Sequence, residues 1–165
     1  MLRTYKYKLY NTKKVKHIHR TINIAGIIYN HCIALHKRYY KLYGKSLNKF
    51  QLQKHLTKLK KRDKYNYWNK LGSQAIQNIT ERIDAGYKKF YKKQGGLPSF
   101  KKVSKYKSFT LKGKVGYKLE DNIISLNGYK YKFWKSREID GVIKTVTINR
   151  DNIGDFYICS SLEIG

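Results

Sequence analysis

Lysines set among tyrosines are the side chains with the clearest chemical capacity in this sequence. Tyr5-Lys6-Tyr7-Lys8, Lys37-Arg38-Tyr39-Tyr40-Lys41 and Tyr87-Lys88-Lys89-Phe90-Tyr91-Lys92-Lys93 interleave ammonium groups, which neutralise phosphates, with flat rings that stack on unpaired bases or riboses. That combination favours nucleic acid over other polyanions. Hydrolytic chemistry has less material. Two-metal phosphodiester cleavage needs several carboxylates converging on one pocket, and the chain has 10 Asp and Glu in all. Asp151 and Asp155 fall in one predicted hairpin turn, Glu120 and Asp121 in another, and Glu81 and Asp84 on a Lys-rich helix. Neither G-x-x-x-x-G-K-[ST], H-E-x-x-H nor G-x-S-x-G occurs. Cys32 and Cys159 are far apart and outside any C-x-x-C pair, so they read as buried, reduced thiols, and His17, His19, His31, His36 and His55 lack zinc-ligand spacing. No metal and no cofactor is expected.

Charge reinforces the binding reading. Lys and Arg number 37 in 165 residues, for a formal net charge of +27. Self-repulsion of that size calls for a substantial apolar core or a polyanionic partner. Hydrophobic residues at 41% and aromatic residues at 15% argue for a folded core rather than a solvated tail. Acidic residues are absent from Met1 to Arg62 and again between Asp84 and Glu120, leaving two purely cationic stretches. The 30 lysines far outnumber the 7 arginines, which favours contact with a phosphate backbone over bidentate reading of bases. The basic N-terminus precedes no apolar stretch, no run of 18 apolar residues occurs, and Trp68 and Trp134 fall in different elements. The expectation is a cytoplasmic protein without a membrane partner.

The elements that must carry these side chains follow from periodicity. Residues 3–10 alternate as a strand with Tyr5, Tyr7 and Leu9 on one face. From a Thr12 cap, Val15, Ile18, Ile22, Ala25, Ile28, Cys32, Leu35, Tyr39 and Leu42 recur at helical steps, as one long helix or two in line, until Gly44 stops them. Ser46 or Asn48 can cap a second helix bearing Phe50, Leu52, Leu56 and Leu59, and a basic loop follows. Ser73 can cap a third, with Ile76, Ile79, Ile83, Tyr87 and Phe90 as its stripe and Gly95-Gly96 as its end. Beyond Phe100 the period becomes two. Asn127-Gly128 joins Ile123–Leu126 to Tyr129–Trp134 as a hairpin, and a turn at 151–155 joins Val142–Arg150 to Phe156–Ile164. This order implies an α+β fold: a small antiparallel β barrel or sheet with a three-helix insertion after its first strand.

Seven local strings, spread in register over essentially the whole chain, resemble the TnpB (OrfB) family of transposon-encoded, RNA-guided DNA endonucleases. They are Leu2-Arg3-Thr4-Tyr5-Lys6-Tyr7-Lys8-Leu9-Tyr10, Ile27-Ile28-Tyr29-Asn30, Gly44-Lys45-Ser46-Leu47, Leu56-Thr57-Lys58-Leu59-Lys60, Ser73-Gln74-Ala75-Ile76-Gln77, Gly96-Leu97-Pro98-Ser99-Phe100-Lys101 and Ile143-Lys144-Thr145-Val146-Thr147-Ile148. Asn11 stands where the family usually has proline and Leu97 where it has an aromatic. The resemblance implies an oligonucleotide-binding-like wedge barrel, residues 1–11 and 96–165, interrupted by a helical recognition lobe, 12–95. It also implies that Lys49, Gln53, Ser73, Gln77 and Thr110 read a short motif beside the DNA target. Further nucleic-acid contacts are expected from Lys6, Lys8, Lys13, Lys14, Lys16, Arg20, Tyr29, Asn30, Lys88, Lys89, Lys92, Lys93, Lys101 and Lys102.

In that family a RuvC-like nuclease domain and a zinc ribbon follow the strand that here reads Phe156 to Ile164. The sequence ends at Gly165. The expectation is therefore a protein that is not an enzyme on its own, with no catalytic residues. It would bind guide RNA from the transposon end and double-stranded DNA. The alternatives are a subunit that joins a separately encoded RuvC-like partner to form a nuclease, and a nuclease-less DNA-binding repressor.

Overall fold

The computed structural model describes residues 2–113 and 115–163. Ile164, assigned above to the last strand, lies outside the described residues. The chain divides into two compact units, 1–22 with 107–165 and 23–106.

The first unit is built on antiparallel strands. Strand β1 (Leu2–Lys8) buries Tyr5 and Tyr7 on one face, as a period of two requires, with buried Leu9 continuing that alternation just beyond it, and turns Lys6 and Lys8 outward. It pairs with β7 (Phe156–Glu163), β7 with β6 (Val142–Arg150), and β6 with β2 (Ser108–Lys112), giving the order β1-β7-β6-β2. A bulge between Ile143 and Thr145 shifts the β6–β7 register. A second sheet holds β3 (Lys118–Glu120), β4 (Ile123–Leu126) and β5 (Tyr129–Lys132) in that order. Asn127 (φ 49°) and Gly128 (φ 84°) supply the paired positive angles that a two-residue hairpin demands.

The expected barrel requires correction: among the described residues the strands form two antiparallel sheets, neither closed on itself. They are linked where Leu9 bridges Phe133, with Tyr10 N–H donating to the Lys132 carbonyl (2.9 Å) and Trp134 N–H to that of Lys8 (2.8 Å). Gly113 (φ 70°) and Gly116 (φ 93°) turn the chain away after β2, so β2 ends the ladder as an edge.

Helix α1 (Val15–Tyr43) starts in this unit and runs unbroken into the second, ending where Gly44 (φ 67°) donates to the Tyr40 carbonyl at 2.8 Å. It starts three residues after Thr12, whose carbonyl accepts the Val15 N–H. Its buried stripe stops at His36, and Leu42 is exposed.

In the second unit, α2 (Lys49–Leu59) and α3 (Ser73–Tyr91) follow. Asn48 caps α2 in a capping box with Gln51, their side chains meeting each other's backbone N–H at 2.9 and 3.0 Å. Leu52, Leu56 and Leu59 are buried while Phe50, counted with them by periodicity, is exposed. The stretch read as a basic loop contains a 3-10 helix, Asp63–Lys70, that sinks Trp68. Ser73 is the first residue of α3 and not its cap, which is Gly72 at φ 91°. The helix ends before Gly95-Gly96: Lys93 takes a φ of 59° while Lys93 and Gln94 donate to the Phe90 and Lys89 carbonyls, a Schellman ending built without glycine.

Candidate nucleic-acid interface

In the first unit, strand register brings expected contacts together on one polar sheet face. Lys6 lies opposite Cys159, Cys159 opposite Thr147, and Thr147 opposite Thr110; beside this row run Lys8, Tyr157, Asn149 and Ser108. The face is not a set of free groups. Lys6 Nζ sits 4.2 Å from the centre of the Tyr157 ring, Lys8 Nζ lies 3.3 Å from Asp155, and the hydroxyls of Thr110 and Thr147 share a hydrogen bond at 2.9 Å. Asn149 donates to Cys159 Sγ at 3.0 Å, and Cys159 is half-buried rather than buried. Lys13, Lys14, Lys16 and Arg20 are exposed around the start of α1, Lys16 and Arg20 one turn apart, with Lys14 Nζ 3.5 Å from the Lys130 carbonyl oxygen. Asp151 organises the hairpin beside Lys8: desolvation raises its pKa, but N–H groups of Asp155, Ile153 and Gly154 and the Tyr157 hydroxyl outweigh that and hold it below the usual carboxylate range.

In the second unit, α2 and α3 pack together and carry the four other reader positions. Ser73 and Gln77 are exposed and one turn apart on α3; Lys49 and Gln53 hold the same spacing on α2. Gln53 Nε2 donates to Thr80 Oγ1 (3.0 Å), which donates to the Gln77 carbonyl (2.7 Å). This relay fixes the Gln53 amide and leaves the Gln77 side chain in solvent, where a paired donor and acceptor can meet a base edge. At the far end of α3, Lys89, Lys92 and Lys93 are exposed, and Lys88 is bound to Asp84 at 3.1 Å. Cations there also suit the negative end of the helix dipole. From Ser73 to Lys92 the rise is about 28 Å, close to the ~34 Å turn of duplex DNA.

Tyr29 and Asn30 hold the chain that follows α3. Asn30 Nδ2 donates to the Lys101 carbonyl (2.7 Å) and its Oδ1 accepts the Lys101 N–H (2.9 Å), while the Tyr29 hydroxyl donates to the Ser99 carbonyl (2.8 Å). Both amide atoms of Asn30 are therefore spent on the fold. Lys101 Nζ is 4.9 Å from the Tyr29 ring centre and 5.8 Å from that of Tyr106, and Lys102 is exposed.

Two arrangements were not among the expected sites. His31 on α1 and His55 on α2 meet Nε2 to Nε2 at 3.1 Å, their rings stacked. Burial, followed by the charge of its neighbours, pushes each ring below its usual pKa. Only the tertiary fold could reveal that meeting. Arg82 lines a cavity with Tyr29 and Lys101; the signal for it was Gly86, four residues on, a residue poorly suited to a helix interior unless something must come close. Its added Cβ would stand 3.2 Å from Pro98 Cγ.

Several carboxylates are taken up by partners: Glu120 pairs with Lys118 (2.8 Å), Asp121 and Glu138 share Lys135 (3.6 and 3.2 Å), and Asp140 accepts from the Tyr5 hydroxyl (2.9 Å). Among the described residues no three His, Cys, Asp or Glu converge as metal ligands, and no helix is long and apolar enough to cross a membrane. Burial pushes the Cys32 thiol up to about 12, far from thiolate reactivity.

Residues 1–45, which form β1 and the unbroken α1, match a family model described as a helix-turn-helix domain of the OrfB type. Over 92 residues, 55% of this chain, the sequence is 29% identical to InsQ of Escherichia coli (strain K12), whose name gives it as a candidate RNA-guided DNA endonuclease. The match spans 23% of that relative's length. Both findings support an N-terminal portion of the TnpB/OrfB family.

Proposed function

We propose that this chain is a nucleic-acid-binding module, the guide-RNA and target-DNA recognition portion of a TnpB-like nuclease, without cleavage activity by itself. The observation that carries this reading is the exposed hydroxyl and amide of Ser73 and Gln77, one turn apart on α3, with a lysine cluster at the other end of the same helix. It is the arrangement expected of a helix that reads base edges near one end and grips phosphate near the other. The net charge of +27 provides the sequence-independent part of the affinity. In this reading residues 1–11 and 96–165 act as the wedge and 12–95 as the recognition lobe, in the cytoplasm. Hydrolysis would come from a RuvC-like domain or subunit outside the residues described.

The test is fluorescence anisotropy of the full chain against structured RNA from a transposon end, duplex DNA and an unrelated RNA, over a salt series. The reading expects preference for the transposon RNA and a log–log salt slope of roughly −0.9 per duplex phosphate neutralised, or about −0.7 for single strands. Binding that ignores salt refutes it. Duplex DNA bound in preference to any RNA supports the repressor reading, which the match to a helix-turn-helix domain favours.

A further inference from the structure

Within the second unit, α1, α3 and the chain after α3 line a cavity of about 180 Å³ that opens to solvent, with Arg82 and Lys101 both exposed at its mouth. It is lined by Tyr29, Arg82, Gly86, Pro98, Lys101 and Tyr106, over a floor of Ile79 and Ile83. An apolar cavity of roughly 150 Å³ admits one benzene ring, and pockets for whole small molecules run to about 300–1,000 Å³. This one therefore has room for a single compact group, with the rest of the ligand outside. Its charged lining is cationic: no ion pair among the described residues involves Arg82 or Lys101. Asp84, the buried acid on the same helix, is committed to Lys88. The ammonium of Lys101 is held by desolvation, then by the Arg82 charge, below its usual pKa, so the cavity holds positive charge at a cost that an anion would remove.

The site is also built in advance. The Asn30 clasp fixes the Lys101 backbone from both sides, the Tyr29–Ser99 hydrogen bond fixes the approach to it, and Gly86 leaves the space that a side chain would fill against Pro98. A planar guanidinium and an ammonium facing one small space match a phosphate, whose several oxygens can accept from both groups at once.

We infer that this cavity is a phosphate-capture site, in which Arg82 and Lys101 hold one phosphate group either of a bound nucleic-acid strand or of a free nucleotide. For the strand source, the inference rests on the function proposed above and locates one of its anchoring points; the free-nucleotide source stands apart from it.

The experiment uses the full chain and two probes: a fluorescein-labelled oligothymidylate read by anisotropy, and adenosine 5′-monophosphate at millimolar concentration read by the amide resonance of Gly86. The proteins are wild type, Arg82→Gln, Lys101→Gln, the double variant, Arg82→Lys, and Lys61→Gln as an exposed single-charge control, each checked for an unchanged circular dichroism melt. Expected for a strand phosphate is about tenfold weaker oligonucleotide binding for each single variant, well beyond the control. The double variant should lose less than the product of the two, because both groups serve one phosphate; Arg82→Lys should recover part of the loss. A Gly86 shift with the nucleotide that Arg82→Gln abolishes, with oligonucleotide binding unaltered, assigns the free nucleotide instead. If wild type binds the oligonucleotide but neither single variant differs from the control and no Gly86 shift occurs, the site is overturned and the nucleic-acid reading stands. If wild type binds neither probe, both are overturned.

Discussion

Acid should unfasten the second unit at the His31–His55 contact. With Nε2 atoms 3.1 Å apart, one ring must donate its proton and the other accept through a lone pair, so the contact exists only while at least one ring is neutral. The other charges acting on the pair are all positive: Arg38 on His31, and Arg38, Arg62 and Lys58 on His55. Two imidazolium charges at that separation repel by about 5 kcal/mol at an effective dielectric of ~20, and by about 1 kcal/mol in bulk water. Both rings are half-buried, which places the penalty between those limits. Each folded pKa is lowered, so below about 6.5 the unfolded chain binds more protons than the folded one, and stability falls as pH drops. Above that value both states are neutral and the contribution is flat. Each ring adds at most about 1.4 kcal/mol per pH unit, so the pair adds no more than ~2.7 kcal/mol per unit, and His55→Gln, which removes one of the two, should lower the slope. Urea unfolding followed by tryptophan fluorescence between pH 8 and 5.5 measures this. His19 and His36, also lowered by burial, contribute equally to both proteins and cancel in the comparison. A wild-type midpoint indifferent to pH, or a variant as acid-sensitive as wild type, would refute the reasoning.

Three further outcomes follow from the geometry. Asn48→Ala removes the α2 cap and half of its reciprocal box with Gln51, which should lower stability by about 1 kcal/mol in the same urea assay. Gln77→Ala touches an exposed side chain, so the melt should be unchanged while discrimination among duplex sequences falls by roughly 1–3 kcal/mol in competition binding, with the salt slope intact. The double change Lys92→Gln with Lys93→Gln should do the reverse, weakening all duplexes alike and reducing the salt slope by up to about 1.8.

What was legible in the sequence was what short-range chemistry decides. Tyr5, Tyr7 and Leu9 alternate because a strand turns successive residues to opposite faces, and Asn127-Gly128 marks a turn because few other pairs accept two positive φ angles. Signals that one residue can override were misread. Lys93 takes the left-handed angle that Gly95-Gly96 was expected to supply, since a Schellman ending outweighs the strain, and Gly72 instead of Ser73 precedes α3. Trp68, one apolar residue in a polar run, gave no period by which its 3-10 helix could be found. Sheet order and the meeting of His31 with His55 are matters of distance between remote segments, which no local pattern encodes, while the convergence of Arg82 and Lys101 left one local trace, Gly86. Asn30 shows the same limit from the other side: a residue type able to contact a base is occupied by the backbone of Lys101.

The pairing of β1 with β7 sets a timetable for the newborn chain. Leu2 is partnered by Glu163, so the first strand leaves the ribosome long before its neighbour exists. At about 5–20 residues per second the wait is roughly 10–30 s, and joining ends about 150 residues apart costs about 4–5 kcal/mol in ring-closing entropy. Residues 23–106 have no such delay, because their packing is internal. Throughout the interval Tyr5, Tyr7 and Leu9 form a greasy ribbon open to any stray partner strand. Lys6 and Lys8, spaced between them, repel a second nascent copy, so the same ammonium groups that suit polyphosphate also act as gatekeepers during synthesis.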